Sequence, residues 1–138
     1  PKCLILTAKE IIKIIYNKQL KKEQNVDSKI QATKVKEKFI VVCLNSANKI
    51  IKYDIISTGN LTGSIVHPRE VFKVAIENNS ANIILVHNHP SGNADASAED
   101  VTTTKKLVAA GKLLDIEIFD HIIVADNKYF SFVEQHIV

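Results

Sequence analysis

The sequence contains no methionine and only two cysteines among its 138 residues. Cys3 and Cys43 form no CxxC pair and lie in unrelated segments, which favours a reduced, cytoplasmic protein over a disulfide-stabilised secreted one. We recognise no signal or transit peptide, which favours the same location. Because the chain begins at Pro1 and lacks Met, we expect it to be an expressed or trimmed fragment.

Long apolar runs are also missing, since the longest are the size of a strand and far shorter than the roughly 20 residues of a membrane-spanning helix. The net charge is only +3, with the lysines concentrated in residues 9–38, and aromatic residues make up only 6% of the chain. A solvated helix face and linker therefore explains the lysines better than a nucleic-acid surface, which needs aromatic side chains for stacking.

The pattern of apolar residues predicts one mixed α/β domain with helices on the faces of a sheet. We expect residues 1–36 to form an N-terminal helix and a polar connection within the same domain as a core of residues 37–138. The predicted helices are 8–20, one beginning at Pro68, and 97–112 with Gly111 at its C-terminal end; the predicted strands are 39–44, 49–57, 81–86, 116–119, 121–125 and 129–133.

The stretch VHNHPSGNADASAED carries the strongest functional signal. Residues two apart in a strand share a face, so His87 and His89 can direct both imidazoles at one point. Ser97 and Asp100 both project from the first turn of the next helix. Two imidazoles, a carboxylate and an open position for water are the ligands of a hydrolytic zinc site, where the pKa of bound water falls to about 7.

Such a site also needs a proton acceptor and an oxyanion donor. Glu37, just before the first buried strand, is the candidate general base, and Ser97 is the candidate donor. Glu70 is a weaker rival because its place in a first helical turn suits a carboxylate that complements the helix dipole.

Each of these residues has a structural alternative. Ser97 and Asp100 alone would be a helix cap, His87 and His89 could be turn residues that bond the backbone, and Glu37 could be a solvated charge. Asp95 is more typical of a turn, and His121 of a hydrogen-bonded structural histidine. We prefer the metal site because the residues fill distinct roles at workable spacings.

Other metal motifs do not fit. A zinc deaminase requires H-x-E followed by P-C-x-x-C, and neither cysteine lies near the histidines. The sequence has no H-E-x-x-H helix, and the residues of an HNH nuclease are dispersed rather than adjacent.

The pattern H-x-H, seven residues, S, two residues, D resembles the signature of the JAB/JAMM (MPN) metalloproteases. His87, His89, Ser97 and Asp100 match it without adjustment, and the surrounding VHPREVFKVAIENNSANIILVHNHPSGNADASAED and AGKLLDIEIFDHIIV are similar to the RadC-type branch. One departure is Ala96, where that branch usually has proline before the serine.

The resemblance implies a cytidine-deaminase-like mixed sheet flanked by helices, with Zn²⁺ on His87, His89 and Asp100. It also implies Glu37 as the base and Ser97 in the family's serine role. Longer RadC proteins carry an N-terminal helix-hairpin-helix region that binds DNA. The 36 residues before Glu37 are too few for it, so we expect a short form without that region.

We therefore expect a JAMM-type zinc metallohydrolase that cleaves a peptide or isopeptide bond by Glu37-assisted attack of zinc hydroxide. Its expected partner is a protein or peptide substrate. We expect no membrane association, and homo-oligomer formation is a possibility that the sequence leaves open. The alternatives are a DNA-repair-associated protein that binds nucleic acid and a non-catalytic interaction domain that keeps the fold. The full ligand set argues against the second alternative.

Overall fold

A computed structural model describes residues 37–59, 66–126 and 128–138, with the side chains of 57–59 left aside. The predicted helix 8–20 and the connection that follows lie outside these residues. The strands are β1 (Glu37–Leu44), β2 (Ile50–Gly59), β3 (Asn82–Asn88), β4 (Glu117–Ala125) and β5 (Lys128–Ser131); the helices are α1 (Pro68–Glu77) and α2 (Ala98–Leu114).

The five strands described form one mixed sheet in the order β2-β1-β3-β4-β5. Strand β1 is antiparallel to both β2 and β3, β4 runs parallel to β3, and β5 is antiparallel to β4. The parallel pair is joined through α2, since a parallel connection needs a crossover. The mixed α/β fold predicted from the sequence is confirmed.

Strand β1 lies inside the sheet between β2 and β3 and is buried on both faces, which explains its unbroken apolar sequence. Ile40, Val42 and Leu44 pack on one face with residues of β3 and β4. Phe39, Val41 and Cys43 point to the other face, where α1 and α2 supply Val71, Phe72, Ala75 and Leu107. We call this second face the helix face. Cys43 is fully buried on this face.

Strand β4 corrects the prediction of two short strands separated at Asp120. It is one strand whose pairing with β3 shifts between Ile83↔Ile118 and Ile84↔Asp120, which leaves Phe119 as an extra residue. Such a bulge reverses the alternation of side chains along the strand beyond it. Ile118 and His121 therefore share the helix face although they are three residues apart, while Ile122 points to the opposite face.

Helix α2 runs beyond Gly111, which the sequence placed at its C-terminal end. The helix ends at Leu114, and Asp115 caps it in the left-handed conformation with φ 56°. Ile116 then donates its N–H to the carbonyl of Gly111 at 2.9 Å. The chain folds so closely over Gly111 that a Cβ there would lie 2.3 Å from the carbonyl oxygen of Ile116.

We expect Gly111→Ala to lower the free energy of unfolding by about 1–3 kcal/mol, because the backbone of Ile116 has to move. At an open position inside a helix the same change stabilises by about 1 kcal/mol. The sign of the change in urea denaturation therefore tests the close approach, and a stabilised variant would contradict it.

Neither helix in the described part of the chain is both long enough and apolar enough to cross a bilayer.

Candidate metal centre

The candidate site lies where the end of β3 meets the start of β1. Phe39 pairs with His87, and because the strands are antiparallel, the same register carried two residues further sets Glu37 opposite His89. Alternation along each strand then turns Glu37 and His87 towards the helix face. Asn88 holds the two strands together at this edge, because its Oδ1 accepts the backbone N–H of Lys38 at 2.6 Å.

A tight turn brings His89 back over the end of the strand. The N–H of Gly92 donates to the carbonyl of His89 at 3.1 Å, and Gly92 has a φ of +86°, which favours glycine. The carbonyl of Asn93 then lies 2.9 Å from Nδ1 of His89. A carbonyl only accepts, so Nδ1 carries the proton and the neutral ring presents a lone pair at Nε2.

The remaining carboxylate comes from the first turn of α2. Ser97 and Asp100 form a capping box, in which the Ser97 hydroxyl accepts the N–H of Asp100 at 3.1 Å and the Asp100 carboxylate accepts the N–H of Ser97 at 2.9 Å. The cap fixes the orientation of the Asp100 side chain beside the two imidazoles. The structural alternative for Ser97 and Asp100 is therefore realised, and it also places Asp100 at the site.

Two imidazoles and two carboxylates converge here. The Nε2 atoms of His87 and His89 are 2.8 Å apart. The Asp100 carboxylate lies 3.4 Å from Nε2 of His87 and 3.2 Å from Nε2 of His89. Oε1 of Glu37 lies slightly further away, at 3.6 Å and 3.9 Å from the same two atoms.

These donor atoms fit a divalent cation. Ligand atoms around a tetrahedral zinc are about 3.3 Å apart. The contacts of Asp100 match this separation, those of Glu37 exceed it, and the 2.8 Å between the two histidine nitrogens is shorter. Glu37, His87 and His89 also form a possible metal-binding cluster by themselves, since their ligand atoms lie within 4.8 Å of one another. The distances favour Asp100 as the third ligand, with Glu37 at the edge of the site.

The charges of these groups are strongly coupled. Burial by itself would raise the pKa of Asp100, but the adjacent imidazoles of His87 and His89 hold it well below its usual range. Burial would lower the pKa of His89, yet the neighbouring Asp100 carboxylate and the carbonyl of Asn93 raise it. The site therefore holds an ionised Asp100 facing the histidines, a negative charge that also suits a bound cation.

His121, interpreted from the sequence as a hydrogen-bonded structural histidine, also contacts the site. It is 1% exposed, and its Nε2 lies 2.6 Å from Nδ1 of His87, so it directly contacts a predicted ligand. Its own Nδ1 lies 2.5 Å from the hydroxyl of Thr104, a residue that the sequence did not single out. Burial and the neighbouring His87 hold the pKa of His121 well below its usual value.

The other candidates lie apart from this cluster or serve local structure. Asp95 donates its N–H to the side chain of Asn93 at 3.0 Å, as expected of a turn residue. Glu70 lies in the first turn of α1, the place predicted for a carboxylate that complements the helix dipole. His67 is the N-cap residue of that helix, directly before Pro68.

The RadC-like JAB domain profile matches residues 7–137. The chain belongs to the RadC-like JAB domain family. A UPF0758 protein of Methanosarcina barkeri is 42% identical over the whole of this JAB chain, which covers 55% of that relative. A UPF0758 protein of Alkaliphilus metalliredigens is 56% identical over 100 residues, 72% of this chain and 43% of the relative.

The JAB chain thus spans about half the length of the curated relatives that it matches. The resemblance to the RadC branch drawn from the sequence is confirmed. The matched residues 7–137 include all four side chains that converge at the site.

Proposed function

We propose that this domain is a zinc-dependent hydrolase that cleaves a peptide or isopeptide bond. The observation that carries the proposal is the position of Glu37. From the first residue of β1, its carboxylate lies within 4 Å of Nε2 of both His87 and His89. JAB domain membership supports a hydrolase-like site. His87, His89 and Asp100 are the proposed ligands.

A zinc ion bound by these residues would supply a Lewis acid and lower the pKa of water to about 7. Glu37 is the proposed general base because its carboxylate lies just beyond the ligand contacts, at 3.6 Å and 3.9 Å from the histidine nitrogens. Its side chain is 24% exposed, so water and substrate can reach it. It accepts a proton from the attacking water and returns that proton to the departing amine nitrogen.

Ser97 is the proposed donor to the carbonyl oxygen of the substrate. Its hydroxyl accepts a hydrogen bond from the Asp100 N–H, which leaves the hydroxyl proton free to be donated. The exposed position of Ser97 at the start of α2 lets a substrate approach it. The capping bond and the proposed donation therefore use different parts of one hydroxyl group.

We expect Ser97→Gly to separate the two roles. Glycine is nearly as good an N-cap as serine, so the free energy of unfolding should change by only a few tenths of a kcal/mol. Loss of an oxyanion donor should lower kcat by about 10²–10³-fold. Ser97→Thr keeps the hydroxyl and is the control; equal kcat for the glycine variant and the unaltered domain would contradict the role.

The proposal as a whole is tested with purified domain loaded with zinc and with the same domain stripped by a chelator. Internally quenched peptides and a lysine-linked isopeptide substrate serve as probes. Zinc-dependent cleavage is expected. Stoichiometric zinc without cleavage of any probe, in a library that covers both bond types, would instead favour the non-catalytic interaction domain.

A further inference from the structure

A continuous line of polar contacts extends from His87 away from the metal centre into the protein. Nδ1 of His87 lies 2.6 Å from Nε2 of His121, and Nδ1 of His121 lies 2.5 Å from Oγ1 of Thr104. The Thr104 hydroxyl in turn bonds the backbone carbonyl of Asp100 at 2.7 Å. His87, His121 and Thr104 are all buried, with at most 2% of each whole residue exposed.

The direction of every hydrogen bond in this line follows from its last member. A carbonyl oxygen only accepts, so the single hydroxyl proton of Thr104 is donated to Asp100. The hydroxyl can then only accept from His121, whose Nδ1 must carry a proton. A neutral His121 has a bare Nε2, and that atom accepts the proton on Nδ1 of His87.

The result is a defined tautomer for His87, with its proton on Nδ1 and a lone pair on Nε2. That lone pair is directed at the cluster formed with His89 and Asp100. We propose that Thr104 and His121 are positioning residues that hold His87 in its metal-binding tautomer. The inference rests on the metal centre of the proposed function and not on its hydrolytic activity.

The packing around His121 keeps the line intact. Its ring stacks on Phe132, with centroids 4.6 Å apart and planes 11° apart, and meets Phe39 edge-on at 5.5 Å. A ring held on two sides cannot turn without disturbing the core. Full burial also favours the uncharged ring that the line of hydrogen bonds requires.

The bulge in β4 places the side chain of His121 on the helix face, between His87 and Thr104. Without the extra residue at Phe119, alternation from Ile118 would turn residue 121 to the opposite face of the sheet. The last part of the same line comes from α2, where Thr104 lies one turn after Asp100. One helix therefore supplies a proposed ligand and also, through Thr104, supports a second one from β3.

Thr104→Val tests the proposal because valine keeps the branched shape of threonine and has a methyl group in place of the hydroxyl. We expect zinc affinity, measured by competition with a chromophoric chelator, to fall by about 10–100-fold. Thr102→Val is the matched control, since Thr102 makes the same type of bond to the carbonyl of Ala98 but is exposed. Thr104→Ser should restore affinity.

A second measurement does not depend on metal. Long-range proton–nitrogen NMR spectra of histidine-labelled, metal-free protein in mildly alkaline solution report which nitrogen of His87 is protonated. We expect Nδ1–H in the unaltered domain and in Thr102→Val, and a mixture of tautomers in Thr104→Val.

The outcomes separate this inference from the proposed function. If the unaltered domain binds no zinc, the metal centre fails, while the NMR spectra still decide the role of Thr104. If zinc binds but Thr104→Val matches Thr102→Val in affinity and tautomer, the inference is wrong. Equal loss in Thr104→Ser would assign the effect to packing and would overturn it as well.

Discussion

Replacement of Glu37 by Gln is expected to lower kcat by about 10²–10⁴-fold while the domain keeps its zinc. Glutamine has the same shape and can occupy the same place beside the histidines, but its amide cannot accept a proton at neutral pH. The contacts of Glu37 with the two imidazole nitrogens, at 3.6 Å and 3.9 Å, exceed the separation of ligands on one zinc ion. A general base, and not a ligand, is the role that these distances favour.

Zinc content by mass spectrometry and cleavage of the quenched peptides should be measured on the same preparation of this variant. Glu70→Gln is the matched control, because Glu70 was the rival candidate and lies in the first turn of α1. Full activity of Glu37→Gln would refute the base assignment. Loss of zinc in that variant would instead make Glu37 a ligand, as in the cluster of Glu37, His87 and His89.

His89→Ala is expected to weaken zinc binding by about 10²–10³-fold, with loss of turnover as a consequence. Zinc affinities of roughly 10–16 kcal/mol shared among four ligands assign about 2.5–4 kcal/mol to each one. His89 follows the last residue of β3 and is 15% exposed, compared with 3% for His87. The change should therefore remove a ligand with little effect on the buried core.

Isothermal titration or chelator competition gives the affinity, and circular dichroism with urea denaturation confirms that the variant folds. His67→Ala is the control, because His67 is a histidine at the start of α1 without a side-chain capping bond. A folded His89→Ala variant that retains the zinc affinity of the unaltered domain would remove His89 from the metal centre.

Much of the fold follows from local patterns. The apolar run of β1, the proline that begins α1 and the capping box that begins α2 each act over a few residues, and each is found in the structure. The prediction for β4 was wrong because a polar pair, Asp120 and His121, resembles a break between two strands. In the structure the Ser131 hydroxyl donates a partly buried hydrogen bond to the Asp120 carboxylate, and β4 continues through both Asp120 and His121.

Some residues of the candidate site are likewise identified by local patterns, while the position of another depends on the fold. The H-x-H spacing and the capping box identify His87, His89 and Asp100 because both are features of neighbouring residues. The sequence named Glu37 as well, but its distance from the histidines depends on the register of β1 against β3, across 50 residues of chain.

By itself, the sequence determined which side chains are available and how each lies within its own strand or helix, since alternation and capping are properties of short segments. Only the tertiary structure decided that His121 contacts Nδ1 of His87 and that Thr104 contacts His121. These contacts need a bulge in β4, the pairing of β4 with β3 and the packing of α2 over both. Pairing and packing are set by the burial of the whole core, which no short pattern records.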